Sequence, residues 1–160
     1  MKINLLKELI ELEASTTLLL ELLVGMDLQI KVEAQSEEKT RDAAIIKRIT
    51  RLYFDSCETP ALYCISYLNK NKLKDDEYQF LMEEDMPIGR LFMKCNRKEL
   101  IHKKNILVTL ENDAQIAKAL NVRSFPIYKK EYEYWIAERK IGKIVEIFNE
   151  ESLNRISIGV

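Results

Sequence analysis

Residues 28–35 alternate strictly between apolar and polar side chains, and this pattern restricts the fold more than any other in the chain. The apolar positions are Leu28, Ile30, Val32 and Ala34, and the polar positions are Gln29, Lys31, Glu33 and Gln35. Because successive side chains of a β-strand point to opposite faces, a period of two predicts a strand with one buried face and one exposed face. The fold is therefore expected to contain a half-buried sheet.

Two predicted hairpins supply most of the other strands. Residues 44–54 and 61–68 are predicted strands on either side of the turn Cys57-Glu58-Thr59-Pro60. Residues 124–137 and 141–148 form the second predicted pair, with a short turn before Gly142. Strands joined by such tight connections are antiparallel.

Helices are predicted at the start of the chain. Residues 3–13 have the apolar spacing of an amphipathic helix. A second helix is expected to begin at Ser15-Thr16-Thr17, whose hydroxyls can cap it, and to end at about Val24 with Gly25 as its stop. Leucines occupy nearly every side of this helix, and this pattern predicts that the helix is buried. They are Leu18, Leu19, Leu20, Leu22 and Leu23.

The remaining segments complete an α+β pattern. Residues 36–42 are predicted to be a loop or short helix, 72–84 a polar helix or loop, 94–104 a solvated basic segment, 106–110 a short strand and 113–120 a helix. A short helix is also expected after Pro87. Runs of strands with helices at the start and in the middle favour a single antiparallel β-sheet flanked by helices. We expect residues 1–160 to form one domain.

The balance of charges excludes several classes of function. The chain has 25 lysines and arginines against 26 aspartates and glutamates, so no overall field attracts nucleic acid or an anionic membrane.

Three cysteines without a Cys-x-x-Cys pair argue against a disulfide framework and a zinc site. The apolar run at residues 18–26 is too short to span a bilayer, and no secretory signal is evident at the N-terminus. We expect a soluble, cytoplasmic protein, monomeric or weakly dimeric, whose partner is a small molecule.

Pro87-Ile88-Gly89-Arg90 is an uncommon sequence in a chain with only four glycines and three prolines. Proline suits the first positions of a helix, and glycine lets a ligand approach the backbone. Free amides at the start of a helix can hold an anion, with Arg90 close by. The alternative interpretation is an ordinary loop that enters a surface helix.

Arg48 and Glu146 are the candidate chemical groups. On its predicted strand, Arg48 shares a face with apolar residues, and Glu146 shares one with Ile144 and Phe148. Buried charges are costly unless they are paired or bind something charged, so an arginine and a carboxylate in one interior can bind and process a small organic acid. Two alternatives stay open: the face of Glu146 is exposed, or the two residues pair as structural ions.

His102 and an aromatic strand are further candidates. His102, the only histidine, is expected to be a solvated surface residue. Tyr128, Tyr132, Tyr134 and Trp135 form an aromatic strand that is suited either to a ring-binding pocket or to the core.

In their order and spacing, several of these motifs resemble the archaeal and bacterial family related to chorismate lyase. The resemblance covers almost the whole chain and is carried by Ser15-Thr16-Thr17 with Leu20-Glu21, Arg48 to Leu52 before Pro60, Pro87-Ile88-Gly89-Arg90, Arg97 with Glu99, and Gly142 with Glu146-Ile147-Phe148. It implies one antiparallel sheet flanked by helices, with the ligand enclosed beneath helical flaps. It also implies elimination of pyruvate from chorismate to give 4-hydroxybenzoate, without a metal or an organic cofactor.

The resemblance also assigns roles to individual residues. Arg48 would grip the ring carboxylate, and the Ile88 amide, beside Gly89, would meet the same group. Glu146 would face the ring hydroxyl and move a proton, and Thr16 would contact the ligand from a flap. Because Arg90 is not the anion-binding group in this scheme, we expect it to have a structural or rim role.

The resemblance to this family leaves alternatives for the arginine on the second predicted strand and for the function. Lys130 stands where the family has an arginine, and Arg51 is the second candidate for the role of Arg48, which would reverse the faces of that strand. A ligand-sensing domain that binds small acids without converting them is the alternative function. A third possibility is an interaction protein with a vestigial pocket.

Overall fold

Six strands form one antiparallel sheet in the computed structural model, which describes residues 15–54, 59–83, 85–123 and 127–153. The strands are β1 (Leu28–Lys39), β2 (Ala44–Phe54), β3 (Leu62–Asn69), β4 (Ile101–Glu111), β5 (Ile127–Ile136) and β6 (Arg139–Phe148). Their order across the sheet is β1-β2-β3-β6-β5-β4, with every neighbouring pair antiparallel. The predicted α+β class and both predicted hairpin pairings are confirmed.

The helices whose bounds lie within the described ranges include α1 (Thr16–Val24), α2 (Asp75–Glu83), α3 (Ile88–Cys95) and α4 (Ala114–Leu120), and residues 150–153 are helical as well. Ser15 caps α1 by accepting a hydrogen bond from the Leu18 amide, and Gly25 ends it with φ of 71°. Asp113 caps α4 in the same way. The predicted start and end of α1 are thus confirmed, whereas the helix predicted for residues 3–13 lies outside the described residues.

Two strands are longer than predicted. β1 continues to Lys39, which pairs with Ala44, so the prediction of a loop or short helix is wrong for residues 36–39. β4 begins at Ile101, which pairs with Ile136, and not at residue 106. In both cases backbone pairing with a neighbour extends a strand beyond the part that has a clear apolar pattern.

Helices lie on both faces of the sheet. Leu20 of α1 packs with Leu28 and Phe148, and Leu91 and Phe92 of α3 pack in a second cluster on the same face. On the opposite face, α4 packs against the side chains of β6 that point away from these two clusters. Residues 144–148 are therefore all buried, which explains why both sides of this strand are apolar.

The prediction that α1 is buried all round is wrong for one position. Leu20 is fully buried, but Leu22 is 79% exposed. The helix covers the sheet with one side and leaves the other to solvent. Within the described ranges, no helix has the length and apolar character needed to cross a lipid bilayer.

Candidate functional site

A cavity of about 390 Å³ lies between the sheet and the starts of two helices. Ser15 to Leu18 at the start of α1 and Pro87 to Gly89 at the start of α3 line one side. The opposite wall comes from the sheet and includes Glu146, Tyr132 and Lys103. This volume is in the range of sites that enclose small molecules.

Glu146 is the central polar group of the cavity wall. Its side chain on β6 is 6% exposed. One carboxylate oxygen accepts a hydrogen bond of 2.7 Å from Thr16 Oγ1, and the other accepts one of 2.7 Å from the Tyr132 hydroxyl. The face of β6 that carries Glu146 is therefore not exposed, and the hydrogen bond to Thr16 joins α1 to the sheet.

Two lysines lie beside this carboxylate. The Lys103 ammonium donates a hydrogen bond of 3.2 Å to Thr16 Oγ1 and lies 4.4 Å from the centre of the Tyr132 ring. Lys130 is fully buried and is opposite Glu146 in the pairing of β5 with β6. Burial and the positive charge of Lys103 lower the pKa of Lys130 to about 8, against the opposing effect of Glu146. Because Lys103 is only 8% exposed, the prediction that residues 94–104 are a solvated face is wrong at this position.

Burial and the Glu146 charge also act on two neutral groups. They raise the pKa of the Tyr132 hydroxyl and of the Cys64 thiol well above their ordinary values. Both groups therefore keep their protons at neutral pH. Tyr132 in particular remains a hydrogen-bond donor to Glu146.

Arg48 lies on the cavity side of the sheet. It is 1% exposed and is opposite Ser66, which lines the cavity. Among the described residues, Arg48 itself does not line the cavity. Burial lowers the pKa of its guanidinium, and the charge of Asp85 partly opposes this effect. Arg51 lies on the other face, where its Nε donates a hydrogen bond of 2.6 Å to Glu33. Arg48 is thus the arginine that β2 directs to the cavity side.

The start of α3 is open toward the cavity. Pro87 occupies the capping position but contributes no side-chain hydrogen bond, and Ile88 and Gly89 line the cavity. A Cβ on Gly89 would lie 3.2 Å from Ser15 Oγ, which shows how closely the two helix starts approach. Uncapped amides and the positive end of the helix dipole favour an anion at this position.

Arg90 points elsewhere. It forms an ion pair with Glu21 of α1, and Glu21 also accepts a hydrogen bond of 3.0 Å from the Leu28 amide. This pair ties α3 to α1 and agrees with the structural role expected for Arg90.

The structure brings most of the proposed site residues together. Thr16, Ile88, Gly89 and Glu146 all line one cavity, with Arg48 next to it. Lys103 was not among the site residues predicted from the sequence, although its two-residue spacing from Ile101 is the signal of a shared strand face. His102, expected to be solvated, is half-buried, and its ring stacks on Trp135 with 6.3 Å between ring centres.

The described residues show no group of three histidine, cysteine, aspartate or glutamate side chains placed to hold a metal ion.

Comparisons with solved structures show the fold. The effector domain of PhnF from Mycobacterium smegmatis matches with a TM-score of 0.63 at 13% identity, covering 86% of this chain and 89% of that one. The ligand-binding domain of a GntR-family transcriptional regulator from Bordetella bronchiseptica matches with a TM-score of 0.54 at 10% identity, covering 76% and 82%. The C-terminal domain of the histidine utilization repressor from Pseudomonas syringae pv. tomato matches with a TM-score of 0.57 at 10% identity, covering 78% and 93%. The chain thus has the chorismate lyase-like fold that these regulator domains share.

Sequence comparisons show the family. A search of curated proteins gives no significant match. The model of one family, described as "Chorismate pyruvate-lyase Rv2949c-like", matches residues 12–156, which is nearly the entire chain. The chain therefore belongs to the Rv2949c-like chorismate pyruvate-lyase family.

Proposed function

We propose that the protein is a carbon-oxygen lyase that converts chorismate to 4-hydroxybenzoate and pyruvate. The observation that carries this proposal is the position of Glu146, a buried carboxylate in the wall of a cavity, held from both sides by hydroxyl donors. Membership of the family supports the same activity.

The start of α3 is the proposed seat of the ring carboxylate. The Ile88 and Gly89 amides begin a helix without a side-chain cap, so a carboxylate there gains hydrogen bonds and a favourable dipole. Arg48, buried on the cavity side of the sheet, adds positive charge to this interior. Together these groups fix one end of the substrate and thereby the position of its ring.

Elimination requires one bond to break and one proton to move from the ring. The bond between ring carbon 3 and the ether oxygen breaks, and the hydrogen on carbon 4 leaves as a proton, which makes the ring aromatic. The enolpyruvate that departs gains a proton on its methylene carbon and becomes pyruvate, so no proton is gained or lost overall. Glu146 is the proposed proton carrier for this step.

Turnover of chorismate by the purified protein tests the proposal. Chromatography follows 4-hydroxybenzoate and pyruvate, which we expect to appear in equal amounts. Glu146→Gln should lower kcat by about 100-fold or more, the usual contribution of a positioned acid-base group. Glu131→Gln is the matched control, because Glu131 lies on β5 and points to the face of the sheet opposite to that of Glu146. This variant should keep the parent activity. Parent-like turnover by Glu146→Gln would contradict the role of Glu146.

The two arginines of β2 provide a second matched pair. Arg48→Met should weaken binding and lower the rate together, because it removes a cation from the cavity side of the sheet. Arg51→Met changes the other face and should leave both unchanged. Equal effects of the two variants would remove Arg48 from the proposed site.

A second candidate function is a non-catalytic domain that binds small aromatic acids. The solved structures that share this fold are ligand-binding and effector domains of transcription regulators. This alternative predicts that 4-hydroxybenzoate raises the thermal unfolding temperature while chorismate stays unconverted. Conversion of chorismate would exclude it.

A further inference from the structure

One side of α3 lines the cavity from the start of the helix to its end. Gly89, Met93 and Arg97 all line the cavity, and they follow one another at intervals of four residues. Side chains with this spacing lie on one side of a helix, one turn after another. Arg97 directly follows Asn96, the residue that caps the end of α3. The cavity therefore runs along α3 from its uncapped start to Arg97, a distance of about 12 Å along the helix axis.

Arg97 lies at the open end of this cavity. It is exposed, and so are Met93 and Leu100, which also line the cavity. Glu146 and Tyr132, which line its sheet wall, are buried. A cation thus occupies the solvent-facing end of the cavity, and a carboxylate occupies the buried end.

The turn that carries Arg97 is held by several hydrogen bonds. The backbone and side-chain amides of Asn96 donate to the Phe92 carbonyl at 3.0 and 2.9 Å. The Glu99 amide donates to the Asn96 carbonyl at 3.3 Å, and the Lys74 ammonium donates to the Asn96 side-chain oxygen at 3.2 Å. The backbone at Arg97 is therefore already positioned before a ligand arrives, which lowers the entropic cost of binding through its side chain.

The carboxylate of Glu99, two residues after Arg97, is engaged by other cations. Its Oε1 accepts a hydrogen bond of 3.0 Å from the Lys74 ammonium, and its Oε2 lies 3.7 Å from the Arg139 guanidinium. The charge of Glu99 is thus balanced without Arg97. This arrangement leaves the guanidinium of Arg97 suited to an anion that enters from solvent.

We propose that Arg97 is a specificity-determining residue that binds a second carboxylate of the ligand at the open end of the cavity, while the start of α3 binds the first. This inference rests on the proposed function, because chorismate carries one carboxylate on its ring and another on its enolpyruvyl group. A guanidinium pairs with a carboxylate through parallel hydrogen bonds, and the length of the arginine side chain closes part of the distance along α3. The enolpyruvyl group then lies toward solvent, so pyruvate is the product next to the exit.

Two unreactive probes separate the contribution of the second carboxylate from that of the ring. 3-(Carboxymethoxy)benzoate carries carboxylates on the ring and on an ether side chain, and 3-methoxybenzoate carries only the first. Titration calorimetry with the parent protein should show that the dianion binds about fivefold more tightly, the upper value for an exposed ion pair. Because Arg97 is exposed, this preference should fall in about 1 M salt, where charges are screened beyond about 3 Å.

Arg97→Gln should reduce the preference to less than about twofold, while binding of 3-methoxybenzoate stays within about twofold of the parent value. Lys98→Gln is the matched control. It removes the same charge from the next residue, which is exposed and is not among the described residues that line the cavity. This variant should keep both the preference and its dependence on salt.

Several results would overturn the assignment. In the parent protein, these are a failure to bind either probe, equal binding of both, or a preference that salt does not change. In Arg97→Gln, they are an unchanged preference or an equal loss of both probes, which would show a structural role. The same loss of preference in Lys98→Gln would show a general effect of charge and no site at Arg97.

Turnover of chorismate is scored separately from binding of the probes. A dianion preference that depends on Arg97, without conversion of chorismate, would refute the lyase and leave the role of Arg97 standing. Conversion with a KM for chorismate unaffected by Arg97→Gln would refute only the role of Arg97.

Discussion

The Tyr132 hydroxyl donates a hydrogen bond of 2.7 Å to Glu146 across the neighbouring strands β5 and β6. Both side chains are buried, so neither can replace this bond with one to bulk water. The position of the proposed proton carrier therefore depends on an aromatic hydroxyl held within the sheet.

Tyr132→Phe should destabilise the protein and slow turnover. It deletes a donor to a buried carboxylate, which costs about 1–3 kcal/mol in the free energy of unfolding. Tyr134→Phe is the matched control for stability, since the buried Tyr134 hydroxyl has no hydrogen-bond partner among the described residues. Urea unfolding should show a loss for Tyr132→Phe and none for Tyr134→Phe. Equal stabilities would contradict the importance of this bond.

Lys130 should make stability depend on pH in the alkaline range. Its pKa is about 8 in the folded protein and 10.5 in an ordinary lysine, so between these values the unfolded chain binds the proton and the folded chain does not. The free energy of unfolding should then rise with pH, by up to about 1.4 kcal/mol per unit.

Urea unfolding measures this effect in the parent protein and in Lys130→Met, at several pH values between about 7.5 and about 10. The raised pKa of Cys64 acts in the opposite direction, because the unfolded thiol loses its proton first, and comparison of the two proteins removes this shared contribution. Lys129→Met should follow the parent curve. Parallel curves for parent and Lys130→Met would show that the pKa of Lys130 is not lowered by folding.

Gly142→Ala should be strongly destabilising. A Cβ there would lie 2.0 Å from the Tyr67 carbonyl oxygen on β3, so the two central strands would have to separate, at a cost of about 3 kcal/mol. Gly25→Ala is the comparison: its Cβ meets nothing within 4 Å, and only the positive φ costs about 1 kcal/mol. Similar losses of stability for both variants would argue against close contact at Gly142.

The ion pair between Glu21 and Arg90 should couple α1 to α3. A double-mutant cycle with Glu21→Gln and Arg90→Gln is expected to give a coupling energy of about 1 kcal/mol, since Glu21 is nearly buried and Arg90 is partly exposed. The more exposed Lys70–Glu37 pair should give a smaller coupling energy. Additive effects in the first cycle would show that the pair contributes nothing to holding the helices together.

The parts of the fold that sequence predicts well are those where one face is buried. In β2, the alternation that places Arg48 with Ile46 and Thr50 follows directly from the apolar pattern, and the structure has the predicted bounds. α1 begins and ends as Ser15 and Gly25 predict, because capping depends on local chemistry.

Lys103 shows why part of the site escaped prediction. It belongs to a run of basic residues, and such runs usually face solvent. Its burial depends on the pairing of β4 with β5 and on Thr16 arriving from a distant part of the chain, and neither contact leaves a local pattern. The convergence of the α1 and α3 starts is likewise a long-range event.

The two hydroxyl donors of Glu146 belong to elements that are held in the fold in different ways. Tyr132 is part of a strand paired on both sides, whereas Thr16 belongs to a helix with one solvent-facing side. Any movement of α1 that admits a ligand past Thr16 removes one donor and leaves the other in place. The carboxylate would then have one partner while a ligand enters or leaves and two while it is enclosed, so enclosure itself would complete the reactive arrangement.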